Sequence, residues 1–272
     1  MKKTGYINIG PVKLKRTKAY GILSICFWLI VWEIAGRIIN NSILLVSWEQ
    51  VGTTLVEMMK TSVFYQELFS SMGRILLGFF AGICLGVLFA TLAYKFEFIS
   101  YLLKPIVAVI KSTPVAAFII LVLIWVGSSH LVVVIALLMV FPVVYSNVYQ
   151  GLCQVKQEML EMSQIFRLTY GKKLRYIYLP SLMPYLMVAC TLSLGLCWKA
   201  GIAAEVIGIP SGSIGASLYN AKLYFDTNTV FAWTIVIIVC SVCFEKLFIW
   251  MVRKCYQGLG GYLGDDRDKK GM

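Results

Sequence analysis

The sequence has little of what builds a metal centre. Its only histidine is His130, and one histidine cannot form a histidine-rich site. Two of its eight cysteines, Cys240 and Cys243, have CxxC spacing. Inside an apolar stretch, that spacing favours two small packing residues on one helix face over a redox or metal pair. We therefore predict no metal site in this chain.

A phosphate-binding loop is also absent. No glycine-rich stretch precedes a Lys-Ser or Lys-Thr pair, the pattern that holds nucleotide phosphates on backbone N–H groups. If the protein uses ATP, another chain must therefore bind it. The scattered carboxylates and the single histidine also argue against a membrane-embedded enzyme, which would need a clustered catalytic set.

Charged residues are scarce, whereas hydrophobic residues are abundant. Charged side chains make up 14% of the 272 residues and hydrophobic ones 59%, while a soluble domain is about 25% charged. A helix needs about 20 mainly apolar residues to cross a bilayer. Six segments are long enough: residues 20–39, 71–94, 105–126, 131–150, 184–207 and 230–252. The sequence predicts an all-α polytopic membrane protein with about six transmembrane helices.

The basic residues are distributed unevenly about these predicted spans. With a cytosolic N-terminus, 18 Lys and Arg fall on the cytosolic side and 3 on the other. Because positive charge is retained on the cytosolic side, both termini are predicted to be cytosolic. The net charge of +12 is then a topology signal and predicts no nucleic-acid partner. The predicted organisation is a basic arm at 1–19, a transmembrane domain at 20–252 and a tail at 253–272.

Two shorter stretches carry packing signals. Gly78, Gly82 and Gly86 are four residues apart, so they share one helix face and allow another backbone to approach closely. We favour packing within the chain over a dimer contact for these glycines. A surface helix is predicted within 40–70, and a turn followed by a short amphipathic helix within 208–229.

One polar, basic segment interrupts the apolar pattern. Residues 150–183 carry Lys156, Arg167, Lys172, Lys173 and Arg175, and their apolar residues recur at helical spacing. The segment predicts a compact cytosolic helix–turn–helix whose apolar face needs a partner. Pro180 and Pro184 are predicted to mark the entry into the fifth span.

This segment resembles the coupling loop of binding-protein-dependent ABC importer permeases. The family pattern is Glu-Ala-Ala, three residues, Gly, nine residues, Ile, one residue, Leu-Pro, and Glu161, Ile177, Leu179 and Pro180 match its spacing. Met162-Ser163 replaces the two alanines, and Arg167 occupies the glycine position. Because glycine there would permit a positive φ, the turn geometry is open, and Gly171 is an alternative turn residue.

The resemblance extends over about 71–250. Further matching elements are Pro105, Thr113 to Ala116, Ile124 to Gly127, Phe141-Pro142, Gly151, Ala204-Glu205 and Gly208 to Gly215. The most similar branch comprises permeases for nitrate, sulfonates, taurine and related small solutes.

The resemblance implies a type I ABC importer permease in the bacterial plasma membrane. Its expected partners are cytosolic ABC ATPases, which bind ATP and Mg, an extracytoplasmic substrate-binding protein and a second permease copy, in a homodimer or with a paralogue. No cofactor is expected in this chain. It also assigns ATPase coupling to the loop, here to Glu158, Glu161, Met162, Ser163, Phe166, Arg167, Gly171, Leu179 and Pro180.

Candidates for the translocation pathway come from charges and helix breaks within the spans. A proline in a membrane helix leaves a backbone carbonyl without its hydrogen bond, and this is tolerated beside protein or a water-filled path. Charged side chains inside a membrane are energetically costly, so each of them is a candidate for a functional role. The candidates are Lys111, Ser112, Thr113, Pro114, Lys199 and Glu205. A plain helix kink at Pro114 and an ion pair between Lys199 and Glu245 are the alternatives.

A secondary transporter or channel working without ATP is the alternative function. It would require inverted repeats and midplane ion ligands, and the sequence shows no convincing repeat. We expect a permease subunit that performs no catalysis itself.

Overall fold

The structure is a computed structural model that describes residues 12–39 and 45–258. Within these ranges the chain is helical, without strands. The helices are α1 Val12–Ile39, α2 Trp48–Met59, α3 Ser62–Lys95, α4 Glu97–Ser112, α5 Val115–Val126, α6 Ser128–Cys153, α7 Gln157–Ile165, α8 Tyr170–Lys173, α9 Leu179–Gly208, α10 Ile214–Leu223 and α11 Thr227–Gly258, with a π-helical turn at Leu174–Tyr178 between α8 and α9.

Apolar helices long enough to cross a membrane account for most of the predicted spans. In the described ranges these are α3, α6, the continuous stretch 170–208, and residues 227–254 of α11. The α4–α5 pair is a fifth if its two halves, bent by 108°, count as one span. The predicted first span, 20–39, lies in α1, which is not among them. The all-α polytopic fold is confirmed, with four or five such spans where about six were expected.

Helix α6 lies at the centre of the bundle, between α3 and α9. Its residues Leu131, Val132 and Ile135 have no exposed surface. They share one apolar core with residues of α3 and α9, among them Ile75 and Leu194. Helix α6 is apolar around its whole circumference, as expected of a helix that is buried on several sides.

The predicted glycine stripe packs within the chain. Gly78, Gly82 and Gly86 of α3 all face α6. A Cβ added to Gly82 would lie 2.7 Å from the Cβ of Val140, and one added to Gly86 would lie 2.8 Å from the Cβ of Val144. Side chains at these positions would push the two helices apart, so the glycines set the distance between α3 and α6.

The predicted third span is two helices. Its break at Thr113-Pro114 is where the sequence predicts it, with α4 ending at Ser112 and α5 beginning at Val115. Helix α4 begins at Glu97, so Pro105, the predicted start of the span, lies inside this helix. The apolar run was therefore a poor guide to the helix start, because helix formers continue on its N-terminal side.

The fifth span continues directly from the preceding segment. Residues 170–208 form one helical stretch, and both Pro180 and Pro184 lie inside it. Proline lacks an N–H, and its ring clashes with the carbonyl four residues earlier. Shortly before Pro180, the backbone widens into the π turn Leu174–Tyr178. In a π turn each N–H donates to the carbonyl five residues earlier, so the regular i→i−4 hydrogen bonds, to which proline cannot contribute, are interrupted here.

The ends of the other predicted segments also shift. The helix predicted within 40–70 is α2, and α3 begins at Ser62, where the Thr61 side chain caps it by accepting from the Phe64 N–H. Residues 12–19 of the predicted basic arm belong to α1, and 253–258 of the predicted tail belong to α11. Residues 1–11, 40–44 and 259–272 lie outside the described residues.

Substituting Gly82 with alanine tests the contact between α3 and α6. We expect Gly82→Ala to destabilise the protein by about 1–3 kcal/mol because the added methyl group overlaps Val140. The matched control is Gly73→Ala on the same helix, where no atom of the described residues lies within 4 Å of the added Cβ. The Gly73→Ala control should leave stability unchanged or raise it by up to about 1 kcal/mol. Thermal unfolding in detergent compares the stabilities of the two variants, and an equal loss of stability in both would contradict this account of the contact.

Candidate functional site

Helix α7 exposes an apolar surface between α6 and α9. Ile165 is 79% exposed, Phe166 70% and Met162 46%. Ser163 is fully buried, and its hydroxyl donates to the Leu160 carbonyl at 2.6 Å. The predicted helix–turn–helix is thus confirmed, and its exposed apolar residues have no partner within the described chain.

The two glutamates of α7 are solvent-exposed. Glu158 lies in the first turn, where a carboxylate interacts favourably with the positive end of the helix dipole. Glu161 lies one turn further on, in the middle of this short helix. The dipole therefore accounts for Glu158 better than for Glu161, which leaves the Glu161 carboxylate available to a partner.

Arg167 supplies the turn that ends α7. The Leu168 N–H donates to the Ser163 carbonyl at 2.9 Å, and the Arg167 N–H donates to the Gln164 carbonyl at 3.0 Å. This pair of bonds is a Schellman motif, in which the residue at the position of Arg167 adopts a left-handed conformation. Arg167 has φ = 47°, so the turn expected from a glycine is present with an arginine in its place.

The arginine makes this turn costly. A left-handed conformation costs a residue with a side chain about 1–2 kcal/mol. A cation near the C-terminus of an exposed helix recovers about 0.3–1 kcal/mol through the helix dipole. The favourable interaction with the helix dipole alone therefore does not offset the cost of the left-handed conformation. The alternative turn residue, Gly171, is wrong, because it lies in α8 and has no positive φ.

The remaining coupling candidates lie along the helix that leads into α9. Leu179 is half-buried and Pro180 exposed, while the nearby Ile177 and Met183 are 3% and 4% exposed. This part of the matched pattern therefore includes residues that anchor the segment to the bundle. Exposed apolar residues occur in α7 and the turn after it, and also further along the segment, at Tyr170, Leu174 and Tyr176.

Lys111 of the predicted pathway contacts α6 at the α4–α5 bend. Its Nζ donates to Ser146 Oγ at 2.7 Å, and Ser146 Oγ donates to the Pro142 carbonyl at 2.8 Å. Ser112 and Thr113 donate their hydroxyls to the Val109 carbonyl at 3.2 and 2.8 Å. Hydroxyl groups of nearby residues thus donate to a backbone carbonyl at the C-terminal end of α4, as a helix break within a membrane requires.

Lys199 and Glu205 occupy different environments, although both lie on α9. Lys199 is exposed, whereas Glu205 is fully buried. The described residues form two ion pairs, Arg37–Glu33 and Arg74–Glu205, so the alternative pairing of Lys199 with Glu245 is not seen.

Glu205 joins α9 to α3 and α10. Ser71 Oγ donates to Glu205 Oε2 at 2.8 Å, and the Gly215 N–H donates to the same oxygen at 3.1 Å. Ser71 Oγ in turn accepts from the Ile214 N–H at 2.9 Å. The Glu205 carboxylate and the Ser71 hydroxyl thus accept from the N–H groups of Gly215 and Ile214, which lie in the first turn of α10 and have no partner inside the helix. We name Glu205, Ser71, Arg74 and Gly215 the Glu205 latch.

Arg74 completes the latch on its partly exposed side. Its Nη2 donates to the Ser211 carbonyl at 3.3 Å, and its Nη1 lies 3.9 Å from Glu205 Oε1. Among the described residues, neither Nη1 nor Oε1 has a hydrogen-bond partner. The guanidinium therefore balances the buried charge mainly by proximity, since 3.9 Å is too long for a hydrogen bond.

Gly215 makes the latch possible by having no side chain. A Cβ at this position would collide with the Cβ and backbone of Glu205. The contacts of Glu205 with Ser71 and Gly215, and of Lys111 with Ser146, were not predicted from the sequence. Sequence separations of 134 residues between Ser71 and Glu205 and 35 between Lys111 and Ser146 gave no local signal for these contacts.

Comparison with known proteins identifies the family. Residues 82–254 match the family described as "Binding-protein-dependent transport system inner membrane component". The chain belongs to this family. It is an importer permease of the ABC class, of the nitrate, sulfonate and taurine type, and a multi-pass protein of the plasma membrane.

Two curated relatives align with the permease over most of its length. One is a putative aliphatic sulfonates transport permease of Bacillus subtilis, 25% identical over 247 residues, covering 90% of this chain and 89% of the relative. The other is a taurine transport system permease of Escherichia coli, 24% identical over 242 residues, covering 86% and 87%. The alignments reach beyond the family match, toward the chain ends.

A solved structure supports the fold of the permease. A chain of the inward-facing MetNI methionine ABC transporter superposes with a TM-score of 0.54 at 16% sequence identity. The match covers 72% of the permease and 96% of that chain. At this identity the likeness concerns the fold alone.

Substitutions of Glu205 test the latch. Glu205→Ala should destabilise the permease by about 1–3 kcal/mol, because buried groups of Ser71 and Gly215 lose their acceptor. Glu205→Gln should cost less, because an amide oxygen can still accept both bonds. Asn220→Ala, at an exposed position on α10, is the control and should change stability by about 0.5 kcal/mol or less. Thermal unfolding in detergent gives the order, and a Glu205→Ala variant as stable as the control would contradict the latch.

Proposed function

We propose that the permease is the transmembrane subunit of an ATP-driven importer that couples to a separate cytosolic ATPase through α7 and its turn. ATP and Mg belong to that partner. An extracytoplasmic binding protein delivers the solute, and two permease copies enclose the pathway. Family membership supports this assembly, and the distribution of basic residues supports a cytosolic position for α7.

The observation that carries the proposal is the exposed apolar surface of α7. Ile165 and Phe166 are 79% and 70% exposed within a segment that otherwise reads as basic and water-facing. Apolar residues that the described part of the chain leaves largely uncovered favour a protein partner. Aromatic and methionine side chains are also enriched at protein interfaces, and Met162, Phe166 and Tyr170 are of these types.

The α4–α5 bend is our proposal for part of the solute pathway. Lys111 holds its ammonium group 2.7 Å from Ser146 Oγ at this bend, and α4 and α5 meet at 108°. A sharp break in a membrane segment is tolerated beside protein or water. We propose that Lys111 faces an anionic solute when a second copy completes the pathway, with Ser112, Thr113 and Pro114 shaping the bend.

The solute we propose is a small anion or zwitterion, such as a sulfonate, taurine or nitrate. Relatives named for aliphatic sulfonates and taurine support this class. Among the other predicted pathway residues, Lys199 is exposed on α9 and stays a prediction. The full burial of Glu205 in the latch gives it a structural role and no support for a solute contact.

Truncating Phe166 tests the docking surface. We expect Phe166→Ala to weaken association of the purified permease with its ATPase about tenfold, because an interface aromatic is removed. The matched control is Phe225→Ala, since Phe225 is 71% exposed and Phe166 is 70% exposed. The dissociation constant in detergent or nanodiscs is the measurement.

Two outcomes would contradict this proposal. One is equal weakening by Phe166→Ala and Phe225→Ala, which would remove the assignment of docking to α7. The other is solute flux through the permease alone in liposomes without an ATPase, which would favour a secondary transporter or channel.

Substitutions of Lys111 test the pathway. Lys111→Gln should lower ATP-dependent uptake of anionic solutes at least several-fold, because the cation that faces the anion is removed. Lys111→Arg keeps the charge and should retain most uptake. Uptake of taurine and of nitrate into proteoliposomes containing permease, ATPase and binding protein is the assay. Uptake unchanged in Lys111→Gln would exclude Lys111 from solute recognition.

A further inference from the structure

The Arg167 side chain is held at the edge of the exposed apolar surface by its turn. Its backbone occupies the left-handed region at φ = 47°, where an arginine is strained and glycine is not. Phe166, 70% exposed, directly precedes it. A strained residue kept beside an exposed surface is an observation from which a functional role can be inferred.

No other part of the described chain explains the arginine. The side chain is exposed, and neither ion pair of the described residues includes it. No side-chain hydrogen bond of Arg167 to a described residue is present either. Within the described residues the charge therefore gains nothing beyond the helix end, which leaves the guanidinium available to a partner on another molecule.

The chemistry of the surrounding surface indicates what that partner presents. The segment from 150 to 183 carries five Lys and Arg against two Glu, so an opposing surface is favoured if it is acidic. A guanidinium donates two parallel bonds to a carboxylate, which lysine cannot do in the same geometry. Arginine at the edge of an apolar patch is a typical interface residue.

We propose that Arg167 selects the ATPase partner, by pairing with a carboxylate at the rim of the groove that receives Phe166. This inference rests on the proposed function, since it specifies the chemistry of the same ATPase. It assigns affinity for any ABC ATPase to the apolar surface of α7, and preference for the correct one to the charge at its edge.

The test uses the full permease in nanodiscs and the ATPase that co-purifies with it, produced separately. Arg167→Gly should loosen the complex roughly three- to tenfold at low ionic strength, while the difference shrinks at high ionic strength because an exposed ion pair is screened. Arg167→Lys should give an intermediate affinity. Arg167→Glu should bind weakly and regain affinity with an ATPase in which the opposing carboxylate residue is replaced by arginine.

Phe225→Gly is the matched control for backbone strain. Phe225 has φ = 54° and also ends a helix with a Schellman pair, in which the Asp226 N–H donates to the Ala221 carbonyl at 2.9 Å and the Phe225 N–H donates to the Lys222 carbonyl at 3.3 Å. Both glycine variants relieve strain at a helix end, so both should unfold at an equal or higher temperature than the parent. Only Arg167→Gly should change ATPase affinity.

The outcomes separate this inference from the proposed function. If the parent permease binds no ATPase, the proposed function and this inference both fail. If the parent binds, but Arg167→Gly binds equally well or loses affinity equally at all ionic strengths, only the selective role of Arg167 fails. Restored affinity in the charge-reversed pair supports the role directly.

Discussion

The close approach of α3 to α6 is the contact on which the rest of the bundle depends. Three glycines allow α3 to lie against Val140 and Val144 of α6, and α9 packs on the other side of α6 while also touching α3. There, Gly201 faces Ile75, and an added Cβ would lie 2.7 Å from Ile75 Cγ1. Small residues at helix crossings are the general means of packing in membranes, where apolar surface has no preference for protein over lipid.

The Glu205 latch depends on this helix spacing. Ser71 lies on α3 and Glu205 on α9, so the 2.8 Å bond between them forms only when both helices are held at the right height and distance. A buried carboxylate left without donors would be strongly destabilising. The latch therefore favours one register of α10 relative to α3 and α9, which apolar contacts alone would leave less defined.

The apolar runs and the spacing of polar residues predicted the helical class, most of the spans, the break at Pro114 and the helix–turn–helix. These features depend on residues close in sequence. The continuity of 170–208 was missed because two prolines usually end a helix, and here a π turn accommodates the first of them. The partners of Glu205 and Lys111 were missed because they are brought together by tertiary packing.

The turn at Arg167 could also be located from the sequence, whereas its backbone conformation could not. The matched pattern located a turn, but an arginine in a glycine position left its geometry open. The Schellman bonds resolve it, since they require a left-handed residue at that position whatever its type. Sequence identified the site of the strain, and the hydrogen bonds of the neighbouring residues explain why it is tolerated.

The unbroken helical stretch at 170–208 has a mechanical consequence. Its 39 residues measure about 58 Å at 1.5 Å per residue, and it joins the turn after α7 to the Glu205 latch. A tilt of about 10° at one end would displace the other by about 10 Å over that length. The π turn lies near the α7 end, where irregular pairing makes the helix easiest to bend. A movement of the turn after α7 would therefore bend the helix at the π turn, and the rest of the helix would transmit that movement to the Glu205 latch as a stiff rod.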